Sequence, residues 1–553
     1  MSKKVQSGEN MENTQTNEGS VATVEPEVTA SSDAGLRSLA LAVSLHLRRE
    51  QEEALKELDR AEAHANAGDL AEIHAARGHI NSELGRFDQA ATSFSRLCEL
   101  LPDDAQTRYR LGLSLQHLGR YEEALESFRA ALSLGDTEAK TKLAAGACLL
   151  QLNDGKGAIV LFDEVLAEEP QLEEALFGKA VGLQLQWEFD KATKLYEQVL
   201  SANPHSEDSL ANLIGLNLQR KDYDEVRKWS DLLLANRPDG VAGLIGLAGA
   251  SFATGDFDAA AKHTFHLTEL APNSYDHWFN LGVALQRLGR LLESSNAYRR
   301  AGNIRPEATF AHINLGVVSR ELGDLASARS AFERAVQAAP ERDDLKMELA
   351  SVVERQGSLE EAEALYASLV KSNPDLEDAW FRLGYLRLQR GDHQASIPAF
   401  EASIEKRPEW PEAEMNLGLA HIRSRQYDEA EAVLTRLLER DPNSVDALNG
   451  LAVASLERPD HPKALKYHLA LIEAGQKSPE IYYNAGLLSQ QLNQPENAAD
   501  LYRSALALRP DFAEALSNLG HVLETLGRND DALSCWVSAL EKKPELARGY
   551  FLR

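Results

Sequence analysis

Along residues 275–306, YDHWFNLGVALQRLGRLLESSNAYRRAGNIRP, apolar positions recur at helical spacing (Trp278, Leu281, Leu285), stop at Gly289, and resume at Ala297, Tyr298 and Ala301. The pattern predicts two amphipathic helices joined by a tight turn. It returns from Ala71 to Leu546 as fourteen units of 34 residues, with no insertion or deletion. With each unit numbered from 1, position 8 is Gly or Ala in 13 of 14 units, Ile214 being the exception. Position 20 is Ala in 11 of 14, and position 32 is Pro in 12 of 14, missing only at Asp136 and Gln476. A strict repeat of this length means a stacked array whose units bury their apolar faces against neighbours.

The recurring residues have local reasons. Gly stands at position 15 in eight of 14 units, which suits the left-handed residue that ends a helix. Proline at 32 lacks an amide proton and stops the second helix, B. Position 2 is acidic in ten of 14 units, near the start of the first helix, A. A carboxylate there complements the helix dipole by about 0.3–1 kcal/mol, so these acids are fold chemistry. The small residues at 8 and 20 are expected to face each other where A and B cross. Larger residues at 4, 7, 11, 24 and 27 fill the surrounding space.

The run Trp-x-x-Leu-Gly at 278–282 and 380–384, with aromatics at 24 (Phe94, Phe128, Tyr298, Phe332, Trp536) and Pro at 32, resembles the tetratricopeptide repeat. The resemblance implies an all-α fold, a right-handed α-solenoid of about 15 antiparallel helix-turn-helix units. Residues 34–70 fit a degenerate first unit, with Ala42, Ala54 and Ala61 at positions 8, 20 and 27. Residues 1–33 read as a disordered polar tail, and 547–553 as the start of a capping helix.

Charge narrows the partners. The net charge is −28, and the 58 Lys and Arg are scattered through the repeats. A polyanion would be repelled, so no nucleic-acid partner is expected. No apolar run approaches the roughly 18 residues of a membrane span, so no membrane insertion is expected. The N-terminal residues lack the apolar stretch of a secretory signal. Three widely spaced cysteines, Cys98, Cys148 and Cys535, argue against a disulfide framework. Together these suggest a bacterial cytoplasmic protein.

The sequence offers little chemistry. It has no His-Glu-x-x-His, no phosphate-binding Gly-x-x-x-x-Gly-Lys-Ser/Thr and no Cys-x-x-Cys. Gly243, Gly246 and Gly249 are spaced for helix packing rather than for a strand-to-helix turn. His263 and His266 lack a third ligand. The reading is of a non-enzymatic chain with no cofactor, no metal site and no catalytic residue.

The family resemblance implies that positions 2, 5, 6, 9, 12 and 13 of the A helices line a concave groove. Position 6 is Asn in six units: Asn212, Asn280, Asn314, Asn416, Asn484 and Asn518. Position 5 carries Tyr109, Phe177, Phe279, Phe381 and Tyr483, and position 12 or 13 supplies Gln184, Gln286 and Gln490 among others. Amides donate and accept, so they can pair with an extended peptide backbone, while the rings add apolar contact. The expected function is a protein-interaction scaffold binding peptide segments or partner proteins in this groove. Units starting at 173, 275, 377 and 479 share aromatics at 5 and 24, a spacing of 102 residues that a duplicated three-unit block would produce.

An asparagine ladder along such an array also resembles the repeat half of O-linked N-acetylglucosamine transferase. Arg110, Gly178, Gly246, Glu348, Arg382 and Gly450 interrupt it here, and no nucleotide-sugar domain follows the repeats before Arg553. The alternative reading is therefore a substrate-presenting or regulatory subunit of a separately encoded glycosyltransferase.

Residues 207–238 depart from the pattern four times, with Ile214 at 8, Lys221 at 15, Val226 at 20 and Ser230 at 24. Hydrogen exchange should show this unit opening before its neighbours; equal protection would contradict the expectation.

Overall fold

The computed structural model describes residues 27–548, which hold thirty α-helices and no strand. The chain divides into two compact units, Met1–Leu267 and Thr268–Arg553. Each is an α-solenoid of stacked helical hairpins, as the repeat implies.

The 34-residue register is carried into the helices. Helix A begins at position 1 in every unit from Ala105 to Ala513, and helix B at position 17 in every unit from Phe87 to Asn529. The unit at 71 starts early, at Ala67. There the Asn66 side chain accepts from the Gly68 and Asp69 amides while the Asp69 carboxylate accepts from Asn66 N–H, a capping box that absorbs the two extra residues. In the degenerate unit Ala42, Ala54 and Ala61 are buried, as their positions require. Its helix A spans Glu27–Leu47, so residues 27–33, expected in the tail, belong to that helix. Residues 1–26 of the expected tail lie outside the described residues. At the other end a 3-10 turn, Pro544–Ala547, closes the last hairpin, and 549–553 of the expected cap also lie outside the described residues.

Every A-to-B turn is left-handed at position 15. The eight glycines there have positive φ, and Asn153, Trp187, Lys221, Arg425, Pro459 and Asn493 share the sign, as does Arg49 in the degenerate unit. Glycine removes the Cβ penalty of this conformation; elsewhere the turn is imposed by the stacking on either side. Helix B stops by two devices. Where proline is missing at 32, Gly135 (φ 95°) and Gly475 (φ 91°) precede it in the left-handed region, and B ends at Ser133 and Glu473.

The packing refines the expected crossing. Positions 8 and 20 do meet in the 275 hairpin, where the Ser294 hydroxyl donates to the Gly282 carbonyl at 2.8 Å. The surface left bare by a Cβ-less position 8, however, is occupied by the ring at 24. A Cβ on Gly78, Gly112, Gly282 or Gly316 would come within 2.6–2.7 Å of Phe94, Phe128, Tyr298 or Phe332. The rings at 24 and the small residues at 20 are the most deeply buried in the repeats: Phe128, Tyr196, Tyr298, Phe332, Ala328 and Ala362 are all 0% exposed. Adjacent hairpins are stitched by position 4. The indole N–H of Trp278 donates to the Pro272 carbonyl at 2.9 Å, and that of Trp380 to Pro374 at 3.0 Å. A His312 ring nitrogen lies 3.0 Å from the Pro306 carbonyl.

The irregular unit at 207 is partly self-correcting. Ile214 brings volume to position 8 while Ser230 removes it from 24, so side-chain bulk has moved from helix B to helix A. Gly246 of the next hairpin closes on both, since a Cβ there would lie 2.6 Å from Ile214. What stays unbalanced is polar: Ser230 Oγ and Trp229 Nε1 are buried without hydrogen-bond partners, and each such group costs about 1–3 kcal/mol. The weakness expected from composition therefore has this narrower source, and Ser230→Ala should raise stability by about 1 kcal/mol in a denaturant melt. Ala328→Leu should lower it by roughly 1–3 kcal/mol by overpacking the crossing; an unchanged thermal melt would show the crossing to be elsewhere.

Candidate partner-binding face

Helix A positions 5, 6, 9, 12 and 13 share a common space with the next helix A. In the first unit a cavity of about 650 Å³ lies between the A helices at 139 and 173. Leu143, Ala147, Leu150 and Gln151 line one side, Glu174, Phe177, Val181 and Leu185 the other, with Phe162 and Asn212 completing it. In the second unit one of about 490 Å³ lies between the A helices at 411 and 445, lined by Met415, Leu419, Ile422 and Arg423 against Asp446, Asn449, Val453 and Glu457. At these two places, positions that the resemblance assigned to a groove line a trough between neighbouring A helices.

All five aromatics at position 5 are half-buried and stand against the ring at 24 of their own hairpin. Centroid distances are 5.9 Å for Tyr109–Phe128, 5.8 Å for Phe177–Tyr196, 5.7 Å for Phe279–Tyr298, 5.9 Å for Phe381–Phe400 and 5.8 Å for Tyr483–Tyr502. Three of them gather further partners. Phe279 stacks on Tyr275 at 5.6 Å, Phe381 on Trp410 at 4.6 Å, and Tyr483 lies 4.9 Å from Phe512. Guanidinium groups then cover the second rings: Arg305 lies 4.5 Å from Tyr275, Arg407 4.6 Å from Trp410 and Arg509 3.8 Å from Phe512. The 102-residue spacing in the sequence is the spacing of these clusters.

Where position 24 is tyrosine, its hydroxyl is a junction. Tyr196, Tyr298 and Tyr502 donate to the position-12 amides Gln184, Gln286 and Gln490 at 3.1, 2.8 and 2.9 Å. Tyr366 donates to Glu354 at 3.1 Å. Those glutamines, expected as peptide ligands, are therefore engaged in the fold. Burial pushes the phenols up, Tyr298 to about 12 and Tyr196, Tyr366 and Tyr502 further; they stay protonated donors.

The six asparagines divide three ways. Asn314 stands beside the Tyr298 hydroxyl and Asn518 beside that of Tyr502, each favouring the phenolate, and Asn518 donates to Tyr483 at 3.2 Å. Asn212 and Asn416 turn back on their own helices, donating to the Asp208 and Glu412 carbonyls at 2.8 and 2.7 Å. Asn280 and Asn484 are exposed. Two residues that interrupt the ladder make ion pairs between neighbouring A helices: Glu348 with Arg320, and Arg382 with Glu354 at 3.5 Å. Reading position 6 alone hid these pairs; reading it against position 12 of the preceding unit shows opposite charges in both cases.

Other candidates are placed as follows. His266 Nε2 lies 3.0 Å from Asp239 Oδ1, and burial holds His263 below the usual histidine range. Among the described residues no three His, Cys, Asp or Glu side chains are grouped to hold a metal ion. Burial pushes the Cys148 thiol up to about 11 and also raises Cys98. Gly243 and Gly246 pack against helix B side chains of the preceding hairpin. No helix among the described residues is long and apolar enough to cross a membrane.

The chain matches the Tetratricopeptide repeat family over residues 76–139 and 279–479 and a second TPR repeat family over 490–527. Together these cover more than half of it, and the chain belongs to the tetratricopeptide repeat proteins. No curated protein matches it. Among solved structures it is similar to a chain of the APC/C hetero-tetramer Cut9–Hcn1, at 14% identity, 86% of this chain, 94% of that chain and a TM-score of 0.32. It is similar to YrrB, described as a TPR protein with an unusual peptide-binding site, at 22% identity, 34% and 98% coverage and a TM-score of 0.31. A third is MamA from Desulfovibrio magneticus RS-1, at 19% identity, 31% and 99% coverage and a TM-score of 0.29.

Tyr298→Phe removes the hydroxyl that donates to Gln286, and should cost about 1–3 kcal/mol. The raised phenol also sets a pH dependence. A group deprotonating at about 10 unfolded and about 12 folded contributes stability that is complete below pH 10 and lost as pH rises toward 12. Denaturant melts between those limits should fall more steeply for the wild type than for Tyr298→Phe; parallel profiles would remove Tyr298 from the account.

Proposed function

We propose that this chain is a non-enzymatic scaffold that binds segments of partner proteins along the exposed face of its A helices. Tetratricopeptide repeat proteins act in protein–protein interaction, and the observation that carries the reading here is the junction of rings and amides in the second unit. Tyr298 holds Gln286 in place, Asn314 stands beside that hydroxyl, Phe279 packs half-exposed against the Tyr298 ring, and Asn280 is exposed. An extended segment crossing these hairpins meets a fixed apolar ring and amides offering both donors and acceptors. The exposed Asn484 and half-exposed Tyr483 repeat the arrangement two blocks later. Because the positioning bonds are made within the fold, little side-chain order is lost on binding.

A pull-down from native lysate should recover a partner with the wild type and with Arg299→Ala on helix B. Combined Phe279→Ala, Asn280→Ala and Asn314→Ala should reduce recovery at least about tenfold. Asn280→Ala alone, at an exposed position, controls for any loss of stability from Asn314. Undiminished recovery with the triple variant would take this face out of the function.

A further inference from the structure

Four consecutive hairpins of the first unit, at 139, 173, 207 and 241, differ from the rest on this face. Their positions 5, 6, 9, 12 and 13 hold no charged residue in any of the four. Elsewhere all but the unit at 479 place a charged residue or a histidine among these positions, such as Arg287, Arg320, Glu348, Arg382, Arg423 or Glu457. The residues that replace charge here include Gly215 and Ile245, which are exposed, and Leu143, Ala147, Phe177 and Val181, which are partly exposed. The about 650 Å³ trough is their first stretch. An uncharged and partly exposed apolar strip of this kind has the composition of an interaction surface.

The edge of the strip has its own pattern. At position 16, in the turn after each A helix, these four hairpins carry Asp154, Glu188, Asp222 and Asp256, all exposed. The units on either side carry Arg120 and Arg290 there. Three of the acids also cap helix B: Asp154 accepts from Gly157 N, Asp222 from Glu225 N and Asp256 from Ala259 N, at 2.9, 3.3 and 3.1 Å. Asp324, Asp392 and Asp460 cap helix B from the same position in later hairpins, and Glu188 pairs with Lys191, so what sets this stretch apart is the unbroken run of four acids rather than any one of them. Glu174 adds a further carboxylate at the lip of the trough.

We infer that these four hairpins bind an amphipathic helix of a partner protein, its apolar face in the trough and its lysines or arginines along the acidic edge. The inference rests on the reading of the A-helix face as partner-binding and specifies a different ligand for this stretch. A helix is chosen over an extended strand because the floor lacks polar partners for a bare backbone. Of its four amides, Gln184 is held by Tyr196 and Asn212 by the Asp208 carbonyl, leaving Gln151 and Gln219. A helix arrives with its own backbone bonds made. Adjacent helices pack about 8–10 Å apart, so four span roughly 30 Å, the length of a helix of about 20 residues.

The test uses the full chain and a fluorescein-labelled peptide of about 20 residues, Leu and Lys in amphipathic helical order. Anisotropy should report binding of this peptide and neither of a scrambled isomer nor of a Leu/Glu counterpart. Gly215→Glu with Ile245→Glu should weaken binding at least about tenfold with unchanged far-UV circular dichroism, since a Cβ at Gly215 meets nothing within 4 Å. The edge variant D154N/E188Q/D222N/D256N keeps the caps and should weaken binding and flatten its salt dependence. Undiminished binding by either variant, or equal binding of the scrambled peptide, overturns the inference. All these positions lie outside the 275 and 309 hairpins, so the lysate experiment can fail or succeed independently.

Discussion

The ring at position 24 lying on the bare backbone of position 8 is the contact on which the rest depends. It joins the two helices of one hairpin at closest approach and leaves room for at most a methyl group: a Cβ on Gly282 would sit 2.6 Å from Tyr298, while Ala180 and Ala350 stand at position 8 of the hairpins that bury Tyr196 and Tyr366. With helix A starting at position 1 and helix B at 17, the turn residue at 15 must be left-handed for 8 and 24 to meet. That is why non-glycine residues such as Asn153 and Lys221 adopt the conformation as well. One inserted residue in either helix would rotate its apolar stripe by about 100° away from the contact. The uniform 34-residue length follows from this requirement rather than from any demand of a ligand.

The same ring links fold to function. Its far edge reaches the A-helix face, where position 5 packs tilted against it, and when it is tyrosine its hydroxyl donates to position 12 of its own hairpin. Residues that look like a uniform ladder in sequence therefore carry different loads. Asn314 and Asn518 are part of the tyrosine junction, Asn212 and Asn416 satisfy their own helices, and Asn280 and Asn484 face solvent. Of the six, only the last pair is exposed.

The repeat, its turns and its helix ends were legible because each depends on a local backbone property that one residue type signals. Proline at 32 and glycine at 15 are such signals, and even the exceptions at Asp136 and Gln476 came with a preceding glycine that does the same work. The partner of position 8 was less legible, since small residues at both 8 and 20 satisfy the same pattern. Compensation was illegible altogether: Ile214 and Ser230 each look like a defect until their side chains are seen sharing one space with Gly246. The groove was legible as a set of positions but not as a set of roles, because whether a position-12 glutamine is spent on the fold depends on whether the ring at 24 is a tyrosine, and an asparagine can turn back on its own helix whatever that ring is.

The positions of the A-helix face that the fold leaves unconstrained are the ones whose composition calls for a cause outside it. Gly215 shows this most simply: it is exposed, its missing Cβ would touch nothing, and glycine in a helix interior costs about 0.5–1 kcal/mol relative to alanine. Packing does not ask for it, and helix stability argues against it. Val181 and Ile245 pose the opposite problem, apolar side chains partly in water where lysine or glutamate would keep the chain more soluble. In a chain carrying a net −28, twenty such positions without a charge across four hairpins are not what the solvent selects. Contact with an apolar surface relieves both, burying the aliphatic groups and giving Gly215 a purpose as a place of close approach.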